Sequence, residues 1–114
     1  MMDAAMNFQT WRNGPARQLL QGAMGFNIDQ IMSWQDYTES FGRFFNHSGC
    51  PGDIRERFTI MSSGEQVLFA ACLCAADFAW LADELTGDST WQRIWWDLSG
   101  DYKTSVGAAI ARMD

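Results

Sequence analysis

The sequence predicts an all-α domain, on three observations. From Val67 to Ala82 every residue is apolar except Asp77, and this run sits behind Ser62 and Glu65, spaced as a capping box in which hydroxyl and carboxylate each satisfy one orphan N–H of a helix start. Aromatic and aliphatic residues recur at helical spacing in two further segments, Trp34–Phe45 and Trp91–Leu98. No convincing pair of strands is present. A helix apolar on every side is either a membrane span or is sheathed in protein, and sixteen residues broken by a carboxylate fall short of the roughly 20 a bilayer needs. The expected architecture is therefore a compact bundle of five to six helices packed around a central apolar helix, about 63–85.

Residues 1–12 hold Ala5, Phe8 and Trp11 only partly in line, which suggests a loose N-terminal arm or a segment packed on a neighbour. Asn13-Gly14-Pro15 reads as a helix start, since the N–H that proline lacks has no partner in a first turn anyway. Leu19, Leu20 and Met24 follow, and Gly25 is the expected stop. Ser33 and Asp36 open the next helix, whose face is Trp34, Tyr37, Phe41, Phe44 and Phe45. Asn46 to Gly52 reads as a loop. Asp53 is expected to cap a short helix through Ile54 and Phe58. After the central helix, Gly87 marks a C-terminal stop, and Asp88 or Ser89 caps a helix carrying Trp91, Ile94, Trp95 and Leu98 on one face. A last helix is expected to turn Tyr102, Val106, Ala109, Ile110 and Met113 inward, with Gly107 and Ala108 permitting close approach.

At 114 residues the chain is long enough for one domain and one core. Its six Trp and eight Phe argue against disorder. Fourteen acids against eight bases give a net charge of −6, which repels phosphate backbones and disfavours direct nucleic-acid binding. Residues 1–25 contain no apolar run, so no signal peptide is expected. Cys72 and Cys74 sit two apart on one helix and project about 200° apart, so they neither bridge each other nor grip one metal. A reducing, cytoplasmic location is expected.

Met61-Ser62-Ser63-Gly64-Glu65-Gln66 looks like the signature loop of ABC-type ATPases, and Asp83-Glu84 resembles the acidic pair that follows it there. The likeness covers only about two dozen residues. The P-loop pattern is absent, and the one lysine, Lys103, follows neither a glycine-rich loop nor a strand. The capping box accounts for the segment, and nucleotide hydrolysis is rejected. His47 and Cys50 in the expected loop fall short of the four ligands of a zinc site, and a thiol–imidazole pair also needs an orienting group. No metal and no cofactor is expected. Asp77, the lone charge of the apolar run, is expected to be paired in the core with an arginine (Arg43, Arg55, Arg57 or Arg112) or a backbone N–H, the alternative being that it reaches the surface.

Asp83, Glu84, Asp88, Asp97 and Asp101 gather in sequence around the last two helices, and Trp96 and Trp11 are left over by the core pattern. Trp beside acids suits an interface anchor. The expected partner-binding residues are therefore Trp96, Asp97, Asp101, Asp88, Glu84 and Asp83. With no catalytic constellation, the expectation is a small acidic non-enzymatic binding protein that occludes another protein's basic, nucleic-acid-binding surface. It has the general build of phage and mobile-element inhibitors of host defence, such as anti-CRISPR or anti-restriction proteins. The alternative is a structural or regulatory helical subunit that acts by homo-oligomerisation.

Overall fold

Ser62 starts the central helix as its chemistry demands. Its hydroxyl accepts from the Glu65 N–H at 3.2 Å, and the Glu65 carboxylate accepts from the Ser62 N–H at 2.8 Å. The computed structural model describes residues 7–48, 51–87, 98 and 100–112. Among them are seven helices and no strand: α1 Phe8–Arg12, α2 Pro15–Met24, α3 Trp34–Ser48, α4 Pro51–Thr59, α5 Ser63–Ala75, α6 Ala79–Thr86 and α7 Gly100–Ala111. The bundle is all-α, with α5 at its centre. From Val67 to Leu73 every residue of α5 is buried, and α2, α6 and α7 all pack on it.

The central helix is shorter than its apolar run. Asp77 adopts a left-handed backbone, φ 68°, and ends α5 before α6 begins. The Phe78 N–H donates to the Leu73 carbonyl at 2.8 Å, and the Asp77 N–H to the Cys74 carbonyl at 3.0 Å. Those two bonds are the Schellman pattern, with an aspartate where glycine usually stands. The break also settles the fate of the charge. Asp77 is not a core ion pair: its side chain is 66% exposed and meets Arg112 at 3.2 Å on the surface. A carboxylate buried in a continuous helix would cost several kcal/mol, and turning the chain takes it into water instead.

The segment expected as a loose arm contributes core from Phe8 onward. Asn7 caps α1 by accepting from the Thr10 N–H at 3.0 Å, and Phe8 and Trp11 are buried. Trp11 lies against Trp34 and Tyr37 at centroid distances of 4.8 and 4.6 Å. Its indole N–H points at the Cys72 sulfur, 3.4 Å away. Trp11 is thus a core residue and not a spare surface aromatic.

Helix α3 presents the aromatic face read from its spacing: Trp34, Tyr37 and Phe41 are buried, while Phe44 and Phe45 pack against the cluster half-buried. Ser33 caps it, accepting from the Asp36 N–H at 3.1 Å. The Tyr37 hydroxyl donates to the Cys72 carbonyl at 2.8 Å, tying α3 to α5. The expected loop is shorter than its composition suggests, because α3 continues through Ser48 and α4 opens at Pro51.

Helix α7 turns Val106 and Ala109 inward as expected, with Tyr102 half-buried against the core, but not Ile110; Met113 lies outside the described residues. Ser105 through Ala109 are all buried, whereas Ile110 is exposed. Its small side chains let α7 approach both α1 and α5. A Cβ on Gly14, for example, would lie 2.7 Å from the Ser105 Oγ. The expected helix carrying Trp91 and Trp95 lies outside the described residues, although Leu98 packs half-buried against the core.

Candidate functional site

Among the described residues, the groups with most chemical promise in the sequence are either sealed or set apart from one another. Cys72 is fully buried, and burial pushes its thiol from an ordinary value of 9.0 up to about 12. It stays protonated, a buried acceptor for the Trp11 N–H. Cys74 is half-buried and is also shifted upward, by burial first and by the nearby Asp83 carboxylate second. His47 is exposed in the last turn of α3, and Cys50 lies outside the described residues. Among the described residues no three His, Cys, Asp or Glu side chains are grouped to hold a metal ion. No described helix is long and apolar enough to cross a membrane.

The surface feature that stands out is on α6. Trp80 exposes 55% of its surface in the first turn of that helix. It rests on a ledge of two half-buried phenylalanines. The Phe45 ring is nearly perpendicular to it at 6.4 Å, and the Phe78 ring is tilted at 6.1 Å. Phe45 and Phe78 touch each other at 4.7 Å, and Phe78 reaches the fully buried Phe41 at 5.1 Å. The exposed indole is therefore the outer end of an aromatic chain rooted in the core, with one side fixed and the other open.

Asp83 and Glu84 follow Trp80 by three and four residues, which places all three on one helical face; all are exposed. Glu84 is ion-paired with Arg55 of α4, both side chains remaining nearly half exposed. Asp83 has no ion-pair partner among the described residues. Leu81 and Ala82, on the opposite side of α6, are fully buried. The helix thus divides into an apolar inner face and an outer face with one aromatic and two acids.

Of the six residues expected to bind a partner, Asp83 and Glu84 share this face. Asp101 sits exposed in the first turn of α7. It lines a groove with Gln9, Thr10 and Asn13, at the α1 end, and not with residues of α6. Asp88, Trp96 and Asp97 lie outside the described residues. Trp80 is absent from the expected set because it falls inside the apolar run and reads as core. The available signal was its spacing from Asp83 and Glu84, together with the helix-breaking Asp77.

A second surface feature is a groove of about 380 Å³ between α2, α7 and the α4–α5 turn, lined by Leu19, Arg57, Ile60, Glu65 and Tyr102 among others. Ile60 in that turn is 83% exposed. The described lining holds no Ser, Cys or His to act as nucleophile or base. In comparisons with known proteins, no family model, no curated protein and no solved structure matches this chain.

Proposed function

We propose that this chain is a non-enzymatic binding protein that occludes a basic surface of another protein, using the outer face of α6. One observation carries the reading: Trp80 is more than half exposed, yet held on a core-rooted aromatic ledge, beside two carboxylates on the same face. An exposed indole fixed in place loses little entropy on docking, and Trp is enriched among residues that dominate binding energy. The acids and the net charge of −6 favour a basic partner by speeding encounter and fixing register. A surface built to bind nucleic acid is basic because it must meet phosphates, and the net charge of −6 disfavours direct binding of nucleic acid by this chain. An inhibitor of a nucleic-acid-handling defence protein, of the anti-CRISPR or anti-restriction type, is the narrowest form of this proposal. Its support is the acidic charge and the small size of the chain.

The test is capture by the immobilised chain, followed by competition. A captured protein should lose its nucleic acid when the chain is added, and Trp80→Ala and Asp83→Lys should each weaken capture at least about tenfold. Capture that ignores both substitutions, or a complex that still binds nucleic acid, would refute the proposal. The reading as a self-associating subunit is favoured by one observation, the exposed Ile60 beside its groove. Sedimentation of the wild type and Ile60→Ser checks it, a dimer lost in the variant being the result that supports it.

A further inference from the structure

We infer that the ligand of the α6 face is an arginine side chain, stacked on the open side of Trp80 and hydrogen-bonded to Asp83. This rests on the reading of the chain as a binder of a basic partner and goes further, because it distinguishes two cations of equal charge. A guanidinium is planar, weakly hydrated and carries its N–H donors in a fork, so it lies flat on an indole while its edge meets a carboxylate. An ammonium is a strongly hydrated point charge that gains little from a flat aromatic surface.

The arrangement fits the planar cation on three counts. The indole is open on one side and immobilised on the other by Phe45 and Phe78. The rings of Phe45, Phe78 and Trp80 touch one another at 4.7–6.4 Å. The Phe45 ring stands nearly perpendicular to the indole and the Phe78 ring is tilted by 41°, so neither stacks on it, and more than half of Trp80 is left exposed to a flat cation. Asp83 stands one turn along the same face, within reach of the edge of a stacked guanidinium.

The same face already takes a guanidinium from within the molecule. Glu84, next to Asp83, holds Arg55 of α4. Because both partners of that pair are nearly half exposed, it is weak and exchangeable. An incoming arginine therefore finds Asp83 without a described ion-pair partner and Glu84 occupied by a displaceable copy of itself.

The inference is tested with three nine-residue peptides, of arginine, of lysine and of citrulline, the last having the planar shape without the charge. Binding is followed through the indole N–H signals of the protein, with the Trp80 signal identified from Trp80→Phe. The arginine peptide should bind about three- to tenfold more tightly than the lysine peptide, and the citrulline peptide should not bind measurably. Trp80→Ala should erase the difference between arginine and lysine, and Asp83→Asn should weaken the arginine peptide. Both substitutions lie on the surface, and an unchanged melt confirms that each variant is folded. Equal binding of the two cationic peptides, lost in Trp80→Ala, would overturn the arginine assignment while supporting a basic partner. No binding of either peptide would overturn both.

Discussion

Trp11 should be one of the costliest single residues to remove, although it lies near the chain start in a helix of five residues. It is fully buried, touches the rings of Phe8, Trp34 and Tyr37, and aims its N–H at the Cys72 sulfur. A tryptophan buries about 150–250 Å², which at about 25 cal/mol per Å² is about 4–6 kcal/mol. Measured truncations of buried Phe or Trp to Ala cluster at about 3–5 kcal/mol, the spread reflecting how far the site collapses. We expect about 4 kcal/mol for Trp11→Ala. For a chain of this size that is a fall of about 15 °C in melting temperature, at about 4 °C per kcal/mol. It is also a large fraction of the roughly 5–15 kcal/mol that holds a domain folded. Should that variant fail to fold, Trp11→Phe keeps most ring contacts and should cost about 1–2 kcal/mol. The assay is urea and thermal unfolding followed by far-ultraviolet circular dichroism, with Trp80→Ala as the control, expected within about 0.5 kcal/mol of wild type. If the Trp11 and Trp80 variants melt alike, α1 does not pack on the core as described and the aromatic assignments are wrong.

Three further outcomes follow from particular contacts. Asp77 is left-handed and its ion pair is exposed at both ends, so backbone conformation should matter more than charge: Asp77→Gly is expected to melt about 4 °C above Asp77→Ala, a difference of about 1 kcal/mol, and equal melts would refute this. Gly14→Ala should destabilise by about 1–3 kcal/mol, because its new methyl would lie 2.7 Å from the Ser105 Oγ and 3.0 Å from the Thr10 carbonyl oxygen. Gly22→Ala, in open space on α2, should be neutral or slightly stabilising in the same melt. The Cys72 thiol is pushed from 9.0 to about 12 in the folded chain. Below pH 9 both states hold the proton and stability is full; above it the unfolded state ionises while the folded state does not, so stability falls as pH rises towards 12. Tyr37, also raised by burial, adds to the fall at higher pH. Denaturant midpoints between pH 8 and 10.5 should drop for wild type and less steeply for Cys72→Ala; parallel curves would show that the thiol is not buried as described.

What was legible in the sequence follows from how many residues carried each signal. The capping box of Ser62 and Glu65 and the five aromatics of α3 each repeat a rule over several positions, and both appear in the structure. Helix α1 spans too few residues for a period to show, so Phe8 and Trp11 read as an arm. In α7 the apolar pattern groups Val106, Ala109 and Ile110; the first two are buried, but so are Ser105, Gly107 and Ala108 beside them, while Ile110 is exposed, because burial here runs around the helix where small residues allow close approach and not along one stripe. Asp77 was conspicuous as a charge. Its consequence for the backbone was not, because a left-handed aspartate is uncommon and the usual sign of such a turn is glycine.

That turn explains why the α6 face was invisible to periodicity. In one continuous helix, Trp80 would follow Leu73 by seven residues, close to two full turns, and would share its direction. Leu73 is fully buried, so Trp80 would be expected to be buried too. The left-handed Asp77 and the extra turn through Phe78 restart the helix in a new phase, with Leu81 and Ala82 inward and Trp80, Asp83 and Glu84 outward. The exposed indole is therefore a product of the helix break. It follows that a chain holding this turn in place by any left-handed residue keeps the Trp80 face. Asp77→Gly should accordingly leave the Trp80 indole signal and its response to the arginine peptide unchanged while abolishing the contact with Arg112. If that variant instead loses peptide binding, the Asp77 carboxylate itself belongs to the surface, and the division between a backbone role at Asp77 and a binding role at Asp83 is wrong.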